Sequence, residues 1–396
     1  MRIPLLFLIT VIVLSLLVDG YIYIMVRRRC VSKVPARLQL VSAVLLYMAL
    51  IVGVSMPRRS GDDGSLLFIM WVLFGYMTFI MPKLVFVVVD AVALLPVLWH
   101  GRRWRWLSLT GGVIAIVAFL AMWWGALVNR FRVDVREVDF EFPHLPAAFD
   151  GFKIVQISDL HVGTYGDDDR FVRKLVGVIN GLHPDAVMFT GDIVNRHSSE
   201  LIPFVDALSG IEAPYGVFSI LGNHDYGDYA DWPSEADKAA DVAALCAMQE
   251  SMGWKLLLNQ TEFIHSGRDS IAVIGVENIG DPPFRIYGSL PKAYPGVGDS
   301  VSKILLSHNP AHWTDSISDH DDVNIALTLS GHTHAMQIEV AGLSPAAMRY
   351  ATWGGMYGDE AGRHALYVNI GAGTVGMPMR LGATPEITLI TLKAMP

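Results

Sequence analysis

Five short blocks hold residue types that bind metal ions: Asp159-Leu160-His161, Gly191-Asp192, Gly222-Asn223-His224-Asp225, Ser307-His308-Asn309-Pro310 and Gly331-His332-Thr333-His334. Carboxylate, imidazole and amide oxygen together suit borderline divalent cations such as Zn, Mn and Fe. Asp159 and His161 are two residues apart, as are His332 and His334. At that spacing each pair shares one face of a strand or pinches one ion from the loop beyond it. A single carboxylate, Asp192, can bridge two ions about 3.5–4 Å apart. Such an ion pair lowers the pKa of a bridging water and clamps phosphoryl oxygens during in-line attack.

Each block follows an apolar, strand-like run, at 153–158, 185–190, 216–221, 302–307 and 324–330. Ligands at the same ends of neighbouring strands converge on one point, and small residues there let the backbone turn tightly. Helix-like segments alternate with the strands: Asp167–Asp169 are placed to open one helix, where acids favour the N-terminus. Another is expected over 235–252, with Cys246 as a core residue. One Asp-x-His or Gly-Asp alone occurs often by chance. Five blocks in order, each after an apolar strand, take in five of the thirteen histidines (His161, His224, His308, His332, His334).

The series D-x-H, G-D, G-N-H-D, a later single His and G-H-x-H resembles the calcineurin-like metallophosphoesterase superfamily. The motifs cover roughly 151–334, and the domain is expected to run on to the C-terminus. Taken residue by residue, the resemblance implies that Asp159, His161, Asp192 and His334 hold one metal ion. Asp192, Asn223, His308 and His332 would hold the other. His224 is then a non-ligand histidine beside the scissile phosphate, as general acid or charge stabiliser. Asp225 would orient it through a hydrogen bond. The fourth block has Ser307 before its histidine where many members have Gly, a small-for-small exchange. The tail from Gly371 through Pro378, Arg380 and Pro385 is similar to the ending of the membrane-associated bacterial subgroup. The implied fold is an α/β sandwich, two mixed β-sheets face to face with helices outside.

Composition divides the chain. It is 52% hydrophobic with mean hydropathy +0.40, too apolar for an ordinary soluble enzyme. Residues 1–140 carry 15 Lys+Arg against 7 Asp+Glu, and the remainder 15 against 31. An acidic C-terminal part argues against a nucleic-acid partner, because phosphate backbones select Lys/Arg surfaces. Two cysteines, Cys30 and Cys246, exclude a Cys-based zinc site by number.

Apolar runs of about 20 residues predict membrane spans at 3–26, 38–56, 66–99 and 107–128. The third, at 34 residues, is either one long span or two short ones broken at Pro82-Lys83; one is favoured, giving four. Arginines after the first run (Arg27–Arg29), rather than before it, argue for a retained helix over a signal peptide. Basic loops at 27–37 and 100–106 face the cytoplasm under the positive-inside rule. Four spans then put the N-terminus and the C-terminal domain outside, although Arg130, Arg132 and Arg136 pull the other way. Asp19, Lys83 and Asp90 lie within apolar stretches, where charge is costly and often functional; Asp90 and Lys83 are expected to pair between helices or sit near an interface. The expected division is a transmembrane anchor over 1–128, a linker and edge strand over 129–150, and a metallophosphoesterase domain over 151–396.

The expected activity is metal-dependent hydrolysis of a phosphomonoester or phosphodiester by metal-bridged hydroxide, with two divalent ions (Mn, Fe or Zn) and a bacterial cell-membrane location. A membrane anchor favours a lipid-linked phosphate ester as substrate. The alternative is a metal-stabilised membrane sensor that binds a phosphorylated ligand without turnover. Arg380 and Tyr357 are candidate contacts to substrate phosphate or head group, and otherwise loop residues; His197 is a candidate pocket residue.

Overall fold

The computed structural model describes residues 5–142, 144–280, 285–294, 301–320, 324–360 and 362–394. Residues 3 and 4 of the first expected span, and 395–396 of the last domain, lie outside them. The chain divides into two compact units, Met1–Val128 with Gly376–Met379, and Asn129–Val375 with Arg380–Pro396.

The first unit is built from four apolar helices: α1 (Leu5–Arg29), α2 (Val34–Ser55), α3 (Asp63–Leu94) and α4 (Arg105–Leu127). All four are long and apolar enough to cross a membrane, and the protein is an integral membrane protein. α1 runs on through Arg27, Arg28 and Arg29 because cations suit a helix C-terminus. α2 starts earlier than its apolar run, since Pro35 fits a first helical turn. α3 is one continuous helix of 32 residues through Pro82, capped by the Asp62 side chain accepting from the Ser65 N–H at 2.6 Å. Leu95–Trp99 continue it as a 3-10 turn.

The charges within these helices are paired. Asp19 on α1 meets the Lys83 ammonium of α3 at 2.8 Å and accepts from Gln39 and Tyr47 of α2 at 2.7 Å each. Asp90 on α3 ion-pairs with Arg103 and accepts from Tyr21 at 2.5 Å. Pairing avoids the cost of a lone charge among apolar side chains.

The second unit stacks two six-stranded sheets. One contains β1 (Asp134–Phe142), β2 (Lys153–Ile157), β3 (Ala186–Phe189), β4 (Val217–Ser219), β5 (Lys255–Leu256) and β12 (Glu386–Ala394), in the order β1-β12-β2-β3-β4-β5. The other contains β6 (Gln260–Ser266), β7 (Asp269–Gly275), β8 (Ser302–Leu306), β9 (Leu327–Ser330), β10 (Gly355–Gly358) and β11 (Ala365–Val368), in the order β10-β11-β9-β8-β7-β6. β1 lies parallel to β12 at one edge, Asp134 opposite Glu386. The inner faces share a core of Ile154, Met188, Phe218, Ile304, Leu327 and Ile390. The outer face of the first sheet is covered by helix α5 (Arg170–Gly181), whose Phe171, Val172, Leu175, Val176 and Ile179 fall on one side at helical spacing. β3, covered on both faces, is apolar throughout rather than alternating.

Two features aim this frame at one end. β2, β3 and β4 are mutually parallel, and so are β7, β8 and β9, so their C-terminal ends emerge together. The buried Gln156 of β2 donates to the Ser330 carbonyl of β9 at 2.9 Å, pinning the two sheets together beside that end.

Candidate metal centre

All nine residues singled out from the sequence lie on the loops after β2, β3, β4, β8 and β9. Five of them, Asp159, His161, Asp192, His332 and His334, have left-handed backbone, with φ between 43° and 75°. Non-glycine residues adopt this rarely, and such strain concentrates where a side chain must be aimed. Gly191 (φ 93°) makes the turn possible, since a Cβ there would strike the backbone of Gly222 and hold the β3 and β4 loops apart.

The donor atoms fall into two joined groups. Asp159, His161 and His334 form one, with His334 Nε2 3.1 Å from both Asp159 Oδ1 and His161 Nε2. Asp192, His308 and His332 form the other, and the Asn223 Oδ1 lies 3.0 Å from His308 Nε2 and 2.8 Å from His332 Nδ1. Asp192 Oδ2 stands between them, 3.2 Å from His308 Nε2 and 3.6 Å from His161 Nε2. Facing imidazole nitrogens at such distances need a cation or a proton between them. The separations are also those expected of neighbouring ligands around an ion held at about 2.0–2.2 Å. The donors present therefore fit two divalent cations sharing Asp192.

The protonation states of His161 and His332 suit the same role. Burial, then the charges of neighbouring histidines, drives His161 well below the usual imidazole range and His332 down to about 3, so both rings offer lone pairs. Burial alone would lower His308 too, but the Asp192 carboxylate outweighs it and raises the ring to about 9. Burial would raise Asp159 and Asp192; the histidines around them reverse this and keep both ionised. His308 is oriented from behind, its Nδ1 donating to the Thr190 carbonyl at 2.7 Å.

His224 lies at the edge of the groups, its ring 4.8 Å from that of His161 and stacked on Tyr229 at 4.1 Å. The expected hydrogen bond from Asp225 is not the one it makes: His224 Nδ1 donates to the Asn195 carbonyl at 2.7 Å. Asp225 is buried and its carboxylate accepts from the N–H groups of Asp192, Ile193, Val194 and Gly222 at 2.8–3.2 Å. Neighbouring side chains in a tight turn diverge, so Asp225 faces the β3 loop while His224 faces the opening. Burial and the Asp192 charge push the Asp225 carboxyl up to about 7, against those four N–H groups.

Of the two roles open to Arg380 and Tyr357, the structure gives the loop role rather than the substrate contact. Arg380 is fully buried and donates to the carbonyls of Gly373, Ala383 and Ile370, leaving it no access to a substrate phosphate. The Tyr357 hydroxyl accepts from the N–H groups of Trp353 and Gly354, which makes it a loop anchor. His197 packs edge-on against Trp232.

The structure adds residues the motifs do not contain. Tyr229 accepts from the Asn223 amide at 2.8 Å, and Tyr350 reaches His332 Nε2 at 3.4 Å. Asn223, His224, Tyr229, His332 and Tyr350 are half-buried, so the centre opens on their side, whereas Asp159, His161, Asp192 and His308 are fully covered. Isolated tyrosines carry no spacing signal. Glu200 did: it caps the turn after His197 and accepts from the N–H groups of Asn195 and Arg196, holding the carbonyl that orients His224.

Gly331 supports Asp159. A Cβ there would collide with Ser158 Oγ and Asp159 Oδ2. Gly331→Ala is expected to cost about 1–3 kcal/mol and to lower metal content at fixed free Mn²⁺, read by elemental analysis of the purified protein. Wild-type metal content would show that this close approach does not set the ligand positions.

A family model described as calcineurin-like phosphoesterase matches residues 152–336. One described as probable calcineurin-like phosphoesterase, transmembrane domain, matches residues 1–130. The chain is 32% identical over 273 residues to a Bacillus subtilis protein named uncharacterized metallophosphoesterase YkuE, covering 66% of this chain and 86% of that protein. It is 30% identical over 297 residues to a Danio rerio transmembrane protein with metallophosphoesterase domain, covering 71% of this chain and 62% of that protein. It is 26% identical over 331 residues to a Chlamydia trachomatis protein named UDP-2,3-diacylglucosamine pyrophosphatase LpxG, covering 72% of this chain and 97% of that protein.

Proposed function

Because this chain belongs to the calcineurin-like phosphoesterases, hydrolases of phosphoric esters, and carries a four-helix membrane domain, we propose that it cleaves a lipid-linked phosphate or pyrophosphate ester at a centre of two divalent cations. The observation that carries this reading is the position of Asp192, whose one carboxylate lies between the His161 and His308 nitrogens and joins two donor groups. Asp159, His161, Asp192 and His334 would hold one cation; Asp192, Asn223, His308 and His332 the other. Bound there, the ions supply Lewis acidity toward the phosphoryl oxygens and a water nucleophile at neutral pH.

The remaining work falls to the protein's own groups. His224 keeps its Nδ1 proton on the Asn195 carbonyl, which leaves Nε2 to exchange a proton with the leaving oxygen. Stacking on Tyr229 restricts the ring to that orientation. Asp225 holds the Asp192 loop rather than the histidine. The half-buried side, with Tyr229 and Tyr350, admits the ester.

The lipid-linked substrate is supported by the membrane domain and by the relative named as a pyrophosphatase of a diacylated sugar nucleotide. For topology we place the N-terminus and the catalytic unit outside a bacterial cell membrane. In support, Arg29 after α1 and Arg102–Arg105 before α4 line one cavity, so both basic loops lie at one end of the bundle. A C-terminal reporter active only in the cytoplasm would overturn this placement.

The test is turnover by the detergent-solubilised full chain with Mn²⁺. A diacylated pyrophosphate ester is compared with a soluble phosphodiester and phosphomonoester, beside His224→Ala. The lipid-linked ester is expected to be cleaved with the highest kcat/KM. His224→Ala should lose roughly 10²-fold in kcat while keeping its metal. A wild type that holds two Mn²⁺ but cleaves none of the three would overturn the hydrolytic reading. Equal kcat/KM for lipid-linked and soluble esters would overturn the lipid-linked one.

A further inference from the structure

The membrane unit contains a cavity of about 1360 Å³ near the start of α4. Arg29 lines it from the end of α1, Phe86 from α3, and Arg102, Arg103 and Arg105 from the approach to α4. Arg103 is occupied: it pairs with Asp90 and donates to Ser108 Oγ. Arg29, Arg102 and Arg105 have no carboxylate in ion-pair range among the described residues. Three uncompensated guanidinium groups around one opening call for an anion, and arginine forks match phosphate oxygens.

A second cavity of about 300 Å³ shares Phe86 and Gly112 with the first. Its further lining includes Ile22, Phe79, Ile116 and Phe119, and its one ammonium, Lys83, is held by Asp19. From the first cavity to the second the lining therefore changes from arginines with Trp104 and Trp106 to aliphatic and aromatic side chains. Polar head, interfacial belt and apolar tail follow in the order a phospholipid presents them. The length agrees: Arg105 to Phe119 is 14 residues of helix, about 21 Å, close to one leaflet of a bilayer about 40–45 Å thick with its headgroups.

Gly112 carries the sharper observation. Its neighbour Gly111 is needed for packing, since a Cβ there would lie 3.0 Å from Val89. A Cβ on Gly112 would meet nothing within 4 Å. That glycine lines both cavities and leaves open space where a side chain would stand, without serving a helix contact. Arginines that only set topology would need no apolar channel beneath them.

We propose that these two adjoining cavities together bind an anionic phospholipid of the adjoining leaflet. Arg29, Arg102 and Arg105 hold its phosphate, and an acyl chain lies along Phe86, Gly112 and Phe119. The site is built from none of the metal-centre residues and does not depend on the substrate assigned there.

The full chain, reconstituted in phosphatidylcholine vesicles with a minor fraction of phosphatidylglycerol and then extracted, is analysed by native mass spectrometry for retained lipid. Wild type should retain phosphatidylglycerol over phosphatidylcholine. Arg102→Gln with Arg105→Gln should reduce that retention by roughly thirtyfold. Gly112→Leu, which changes no charge, should reduce it comparably, with helicity and ester turnover unchanged. Ile116→Trp, which fills the apolar cavity from another position, should repeat the effect if Gly112→Leu misfolds. Retention lost in the arginine variant but kept in both cavity-filling variants would overturn the pocket in favour of charge attraction at the surface. Displacement of the lipid by inorganic phosphate at matched concentration would mean that the phosphate alone is recognised, and would overturn the acyl-chain assignment. Equal retention of the two lipids by wild type would overturn the proposal outright.

Discussion

Asp192→Asn is expected to abolish ester hydrolysis, lowering kcat/KM by on the order of 10³-fold or more, about 4 kcal/mol of transition-state stabilisation. The substitution keeps the volume of a side chain that is 1% exposed and removes its charge. That charge is the shared element of the centre: Oδ2 faces His308 and His161, and Oδ1 accepts from the His224 N–H at 2.8 Å. An amide turned either way places a donor against a ring nitrogen or against that N–H. Thermal unfolding separates loss of the site from loss of the fold. Wild type should gain stability with added Mn²⁺, because a ligand that binds only the native state stabilises it. The Asn variant should unfold near the metal-free wild type and gain little. A variant that still held two ions per chain and retained a tenth of the activity would show that Asp192 does not join them.

Asp225→Ala is expected to be the most destabilising single change near the centre. Four backbone N–H groups from two loops end on this carboxylate, and it is buried. Truncation strands them in a space water does not reach; a lost charged acceptor of this kind costs about 3–5 kcal/mol. In a unit of this size that lowers Tm by roughly 10 °C. Activity should fall with it, since the Asp192 N–H is one of the four. Glu277→Ala removes another acid, one that among the described residues accepts from the side chains of Tyr226 and Asn259, and serves as the control. A Tm for Asp225→Ala no lower than that of Glu277→Ala would remove Asp225 from the architecture of the centre and return it to the supporting role beside His224 expected from the motif.

The contrast between these two aspartates shows what a motif can carry. Asp192 was legible because its residue type, its place after an apolar strand and its order among the other blocks each point to a shared ligand. Asp225 was legible as a participant but not in its contacts. Adjacency to His224 suggested a pair, whereas the turn sends the two side chains to opposite sides. Arg380 failed for a related reason: an arginine in a Gly- and Pro-rich tail looks exposed until three carbonyls close around it. In the membrane unit, the length of 66–99 admitted one helix or two, with one favoured because each half would be short for a span. Continuous backbone hydrogen bonding on either side of Pro82 gives one.

What the sequence alone determined is therefore local and compositional: four apolar helices, strands covered on both faces, and the donor types on the loops beyond them. These follow from hydropathy, period and residue chemistry, which act over a few neighbours. What only the tertiary structure decided is non-local. β12, from the end of the chain, lies between β1 and β2. Donors up to 175 positions apart in the chain, such as Asp159 and His334, come within 3.1 Å. The loop of Asp192 is held by a carboxylate 33 residues later. Arg29 and Arg105 come to line one cavity from different helices. Such pairings depend on which surfaces remain to be buried once the elements have formed, and that depends on the whole chain at once.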